Sequence, residues 1–435
     1  MLLSNGLWPY RPRMEPGESF SSWFSRLALS NGLTPRELYR IALPGARMYR
    51  CDLDRAAPEV LLANLAERTG MNMTSLEHST FRRWHGSLIG GTVEDAKHPW
   101  LPAASCYART QSHGQQYCPE CLAGDDIPFL RLEWRLAFTT TCREHKTLFR
   151  DRCPKCAASI AAAYASLGTQ TMAECWKCGF DLRFTTSDTD IFRQVIPDEH
   201  ERRYMRALKE GWGLLGRSGP PIHAFLFFSV LWQLYRMVAA GRFSRPLRIA
   251  VCEQNPELAA AIPTPAIKQV ERHPPAARRL LLAVTDELLN EWPKQLVLAA
   301  EKAGITSGDI LKDRRNQPFA LVSAIEKHLS KPLRIYSVQE SDVVVSLLAR
   351  NGISPTVKAL RELTGRKIGR LENAAQPSSL RLAYGKHRYW KLDGISPSIR
   401  AKAKLAATRD GDNIGPWVEK AIIAILAQRS DSDIL

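Results

Sequence analysis

The chain has no apolar run long enough to cross a bilayer. Its most apolar stretch, Ala224 to Trp232, ends after nine residues at Gln233, with Arg236 close behind, whereas a spanning helix needs about 20. That stretch is expected to be a buried helix. The opening residues MLLSNGLWPYRPRM lack an apolar core of signal-peptide length and a cleavage pattern. The chain is therefore expected in the cytosol, away from membranes, where thiols stay reduced and cysteine pairs hold metal more readily than they form disulfides. Catalytic signatures are missing too: there is no Walker loop, no Gly-rich dinucleotide turn and no Gly-x-Ser-x-Gly elbow. Acid is also scarce. With 44 Asp and Glu against 60 Lys and Arg, the net charge is +16, which suits a polyanionic partner, either nucleic acid or an anionic membrane surface. With no membrane segment, double-stranded DNA is the expected partner.

Against these absences stands a dense group of cysteines. Cys118-Pro119-Glu120-Cys121 is followed after twenty residues by Cys142-Arg143-Glu144-His145. Cys153-Pro154-Lys155-Cys156 is followed after eighteen by Cys175-Trp176-Lys177-Cys178. Each CxxC or CxxH knuckle turns two ligands inward, and two knuckles complete a tetrahedron around Zn2+. Two zinc ions are expected, on Cys118, Cys121, Cys142 and His145, and on Cys153, Cys156, Cys175 and Cys178. Sequential pairing is the default, although an interleaved cross-brace has the same spacing signature. Four protein ligands close a site and leave no open position for chemistry, so both ions are expected to be structural. Cys51, Cys106, Cys252 and His113 have no partner at this spacing and are expected to be core or surface residues.

Around the cysteines the pattern is helical. Ala-x3-Gly-x5-Leu occurs as Ala28, Gly32, Leu38 and as Ala66, Gly70, Leu76, with a third copy ending in Ile at Ala300, Gly304, Ile310. A small Ala lets two helices approach, Gly takes a left-handed turn and the last residue anchors the second helix, as in a helix-turn-helix. Thr34 with Glu37, the stretch Thr74 to Glu77, and Thr306 supply the expected caps. Farther on, Leu280 to Leu289 and Leu296 to Ala303 are expected helices, separated at Trp292-Pro293. Between Lys331 and Arg409 there are 16 Lys and Arg but 5 Asp and Glu. Residues 341 to 395 are expected to form a helix-turn-helix with a wing. Arg361, Arg366, Lys367, Arg370, Lys386, Arg388 and Lys391 are its expected DNA contacts.

The run Pro16-Gly17-Glu18-Ser19-Phe20-Ser21-Ser22-Trp23-Phe24-Ser25-Arg26-Leu27-Ala28 resembles the opening signature of the TniQ/TnsD family, the target-selection proteins of Tn7-like and related transposons. The resemblance continues through Tyr117 to Cys121, Trp134-Arg135, Cys142 to His145, Leu148, Cys153 to Cys156 and Cys175 to Cys178. It covers roughly residues 10 to 185. It implies a protein without catalysis that links a DNA target to an AAA+ ATPase transposition regulator. Some members read the target themselves, and others ride on an RNA-guided CRISPR effector, commonly as a homodimer. It implies a setting in the bacterial cytosol and nucleoid.

The expected fold is mainly α. Residues 1–100 form a helix-turn-helix-like domain, 101–190 a tandem zinc-ribbon or zinc-finger module, 191–330 a helical domain and 331–435 a basic helix-turn-helix-like DNA-binding domain. The alternative function is a zinc-containing helix-turn-helix transcription regulator with no transposition role. A metal-dependent nuclease would need an open metal or a carboxylate cluster, and the sequence offers neither; a pure scaffold would not bind DNA at low salt.

Overall fold

The computed structural model describes residues 6–45, 52–90, 98–104, 114–186, 199–253, 273–311, 317–329, 346, 348–350, 352 and 397–430. It is mainly helical and divides into two units, Met1–Lys331 and Pro332–Leu435.

The first unit begins with paired helices. Helix α1 (Phe20–Ser30) is capped by Ser19 and buries Phe20, Trp23, Phe24, Leu27 and Ala28 on one side. Gly32 takes φ 69°, which lets the Leu33 N–H return to the Ala28 carbonyl at 3.0 Å. Helix α2 (Pro35–Ala42) then starts in the expected capping box of Thr34 and Glu37. After the short α3 (Leu53–Ala56), α4 (Glu59–Thr69) repeats the unit and ends at Gly70, φ 75°. The next helix, α5 (Met73–His78), is capped by Asn72 and not by Thr74. The Asn72 amide oxygen accepts the Thr74 N–H at 2.7 Å, so the helix opens earlier than the Thr-Ser-Leu-Glu pattern suggests. Leu61, Leu62, Leu65 and Leu76 complete this core with α1 and α2.

The opening signature is explained by its contacts. Glu18 is buried and its carboxylate accepts from Ser22 Oγ at 2.8 Å and from Arg26 Nε at 2.9 Å. Ser22 Oγ in turn accepts the Leu130 N–H at 3.1 Å. Ser19 N donates to Leu130 O, and Leu132 N to Gly17 O, each at 2.9 Å. Glu18, Ser19, Ser22 and Arg26 thus fasten the start of α1 to the segment between the first two knuckles.

The larger core is built by α7 (Glu199–Glu210), the hairpin β1 (Trp212–Leu214) and β2 (Pro221–His223), α8 (Ala224–Ala239), α9 (Ser244–Val251), α10 (Pro275–Leu289), α11 (Lys294–Lys302), α12 (Ser307–Ile310) and α13 (Phe319–His328). The strands are antiparallel, with Gly213 opposite Ile222. Helix α8 holds the apolar run and buries Phe227, Phe228, Leu231, Leu234, Tyr235 and Val238. No single described helix is long and apolar enough to cross a membrane. Phe81, Trp84, Trp100 and Leu136 to Phe138 pack into the same core, and Trp100 Nε1 donates to Phe228 O at 3.0 Å. Helix α10 starts at Pro275, ahead of the expected Leu280, because Arg278 and Arg279 are buried among its apolar residues. Arg279 donates to Thr141 Oγ1.

His273, at the mouth of α10, is buried and bonded to the Tyr235 hydroxyl at 2.7 Å. Burial, with Arg278 nearby, pushes its pKa down to about 4. An unfolded histidine titrates near 6.5, so the folded protein favours the neutral ring. The stabilisation is complete above about pH 6.5 and is lost as pH falls toward 4. His273→Gln is expected to flatten the fall in unfolding free energy between pH 7 and pH 5 by about 1–2 kcal/mol. Guanidinium titrations at both pH values check this, and parallel falls in the two proteins would refute it.

In the second unit, α14 (Pro397–Arg409) and α15 (Ile414–Ser430) form a hairpin about Gly411, φ 71°. Trp417 Nε1 donates to Asp410 at 2.6 Å, and Lys420 pairs with Asp412 at 2.7 Å.

Candidate metal centres

Three of the four knuckles are built on a repeated backbone turn. In the knuckle from Cys142, the Cys142 N–H donates to Thr147 O and the Lys146 N–H returns to Cys142 O, at 2.8 and 3.0 Å. Cys153 uses Ala158 and Ala157 in the same way, and Cys175 uses Phe180 and Gly179. The residue four positions after the first ligand is left-handed each time: Lys146 at φ 57°, Ala157 at 55° and Gly179 at 67°. This turn costs an L residue about 1–2 kcal/mol, and two of the three copies carry it without glycine. The remaining knuckle sits on α6 (Pro119–Gly124), with Cys118 at its N-terminal cap and Pro119 in its first turn.

Cys118, Cys121, Cys142 and His145 offer ligand atoms that lie within 4.8 Å of one another, and so do Cys153, Cys156, Cys175 and Cys178. The grouping is sequential, not interleaved. Nδ1 of His145 is 3.6 Å from Cys118 Sγ, 3.3 Å from Cys121 Sγ and 3.5 Å from Cys142 Sγ. In the second group Cys153 and Cys178 are 3.6 Å apart, as are Cys156 and Cys175. Zinc at about 2.3 Å from each sulfur sets tetrahedral neighbours about 3.8 Å apart, so both donor sets fit that ion with little movement.

The protonation of the thiols supports the same conclusion. Hydrogen bonds with Cys118 and Cys142 and then burial push the Cys121 thiol far up, while hydrogen bonds with Cys121 and Cys142 pull Cys118 far down. Burial pushes Cys175 up to about 12, and a backbone hydrogen bond from Phe180 draws Cys178 down to about 7. Thiols this close cannot all ionise together without a cation between them. Four thiolates around a divalent ion leave a net charge of −2, and exposed Lys155 and Lys177, one in each knuckle of the second group, offset it.

A second constellation escaped the cysteine arithmetic. Arg135 is 1% exposed and uses its whole guanidinium. Nε donates to Gly114 O at 2.8 Å, Nη1 to Asp52 and Asp54, and Nη2 to Asp52 and to Pro102 O at 3.1 Å. Asp54 also accepts the Ser21 N–H and hydroxyl at 2.7 and 2.8 Å. Burial raises the Asp54 pKa despite Arg135; at Asp52 burial acts the same way, but the charge and hydrogen bonds of Arg135 win and hold it low. The Trp134-Arg135 pair was visible in the sequence, but nothing there pointed to Asp52 or Asp54.

Cys252 is buried in the larger core, where burial raises its thiol to about 11, and belongs to neither group of ligands. Cys51, Cys106 and His113 lie outside the described residues, as do the expected DNA contacts Arg361, Arg366, Lys367, Arg370, Lys386, Arg388 and Lys391.

Residues 9–149 match the TniQ family model, so the chain carries a TniQ domain, and the match supports its membership of that family. No curated protein matches the chain. The matched segment contains the first two helical hairpins, the Arg135 network and the whole first ligand group; the second group lies beyond it.

Proposed function

We propose that this chain is a target-selection protein of a Tn7-like or related transposon that works by binding, without catalysis. It binds target DNA, a guide complex such as a CRISPR effector, or both, and recruits an AAA+ ATPase regulator, as a homodimer where the guide complex requires one. The observation that carries this reading is the TniQ match over residues 9–149. The two ligand groups support it. Each offers four protein donors, so a bound zinc would have no open position and would serve the fold. The net charge of +16 supports a nucleic-acid partner. Arg361, Arg366, Lys367, Arg370, Lys386, Arg388 and Lys391 are the proposed phosphate contacts.

If about six phosphates are neutralised, duplex affinity should fall roughly a thousandfold between 50 and 200 mM salt. Selecting from random duplexes at both concentrations, with sequencing of what is retained, tests this. Enrichment of one motif would mean that the chain reads its own target. Weak, salt-sensitive binding without a motif would mean that a partner supplies the address. A salt-insensitive affinity would refute the electrostatic role. A motif found in promoters and not at insertion sites would favour the transcription-regulator alternative.

A further inference from the structure

The third helical hairpin borders a groove that the TniQ reading leaves unused. Helix α8 ends at Ala239, the chain turns through Gly241 to Phe243, and α9 leaves at 104° to α8. Helix α12 closes the other side, its capping-box Asp309 paired with Arg242 at 2.5 Å. Between them lies a cavity of about 520 Å3 whose apolar lining includes Met237, Leu247, Ile305 and Ile310.

Its rim is cationic. Arg236 is exposed, stacks on Trp232 at 6.0 Å and has no carboxylate partner among the described residues. Arg242 has a side chain 75% exposed and stacks on Phe243 at 4.2 Å. Stacking on fixed rings holds both guanidinium groups at the edge of the groove, Arg242 with Asp309 as its partner and Arg236 with its charge unpaired. Arg245 is exposed in the first turn of α9. Residues 199 to 253 carry nine Lys and Arg against four Glu, so the surrounding field is positive as well. Gln317 lines the cavity, and its buried side-chain oxygen has no hydrogen-bond partner among the described residues. A carbonyl oxygen in that place calls for an N–H donor, which a peptide backbone supplies.

We infer that this groove docks an acidic peptide segment of a partner protein, with one large apolar side chain in the cavity and a flanking carboxylate on Arg236. The apolar lining separates this occupant from nucleic acid, whose backbone would meet the arginines but leave Met237, Leu247, Ile305 and Ile310 without a partner. The pairing of positive rim with negative ligand would steer encounter, and the buried anchor would supply most of the affinity.

The inference does not depend on the transposition reading and is tested apart from it. Random 12-residue peptides displayed on phage are selected on the full-length protein, and the enriched peptides are synthesised with a fluorescent label. The expected result is a motif with one large apolar residue flanked by Asp or Glu. Its affinity should fall at least tenfold with Arg236→Glu and with Met237→Ala, while melting temperature and duplex binding stay as in the parent. Three outcomes would overturn the inference: no enrichment, a motif without acid, or affinity indifferent to Arg236→Glu. Loss of binding to a 20-base-pair duplex in that variant, with peptide binding intact, would assign the groove to nucleic acid and overturn it equally.

Discussion

Replacing Arg135 with methionine is expected to destabilise the protein by about 3–5 kcal/mol, the usual cost of removing one partner from a buried ionic cluster. Methionine fills similar space but leaves Asp54 buried without its counter-charge and Asp52 with only the neighbouring Arg55. The same change removes the hydrogen bonds that tie Gly114 O and Pro102 O to the guanidinium. Lysine is expected to rescue only part of the loss, because one ammonium cannot reproduce the planar fork that serves five acceptor contacts here. The triple change Arg135→Met, Asp52→Asn, Asp54→Asn should recover most of the stability, since it no longer buries an unpaired charge. In the single variant the two carboxyls would titrate above their unfolded values, so its deficit is full only above those raised values and narrows as pH falls toward about 4. Denaturant titrations of the three variants at pH 7 and pH 4 check this. A loss under about 1 kcal/mol for Arg135→Met would show that the network is ornamental.

Removing the metal should have the larger effect. The core of residues 117–182 is small, and Cys118, Cys121, Cys142, Cys153 and Cys175 supply five of its thirteen buried members. Isolated β-bridges such as Tyr117 with Arg150 and Arg152 with Ser159 take the place of sheets there. A segment of this kind would draw its folding free energy from bound zinc, roughly 10–16 kcal/mol for a structural zinc in isolated finger peptides. Treatment with a strong chelator, or Cys121→Ser or Cys156→Ser, is expected to unfold the surrounding knuckles. The consequence should reach the first hairpin. Ser25 Oγ on α1 donates to Ala162 O at 3.0 Å, and Ala163 packs against the N-terminal core. Hydrogen exchange should therefore quicken in α1 and α2 when Cys156 is replaced, and unchanged protection there would separate the second centre from the hairpin.

Much of this was legible because spacing carries it. Four knuckles at fixed intervals announce which residues come together, since a tight turn and a tetrahedron impose those intervals whatever surrounds them. Gly32, Gly70 and Gly304 are all left-handed as the hairpin pattern requires. What stayed hidden depends on contacts distant in sequence. Asp52 and Arg135 are 83 positions apart, and no local pattern joins them. Arg278 and Arg279 obscured the start of α10, because buried arginines interrupt the apolar stripe by which a helix is recognised. The choice between sequential and interleaved ligands was open for a related reason: spacing fixes each knuckle but not its partner, and the three-dimensional grouping decides it.

Two closed metal centres in a TniQ-bearing chain are tested most directly by metal analysis of the purified full-length protein. Close to two zinc per chain are predicted, with Cys121→Ser and Cys156→Ser each losing one. One zinc or none in the parent protein, or a variant that keeps both, would contradict it.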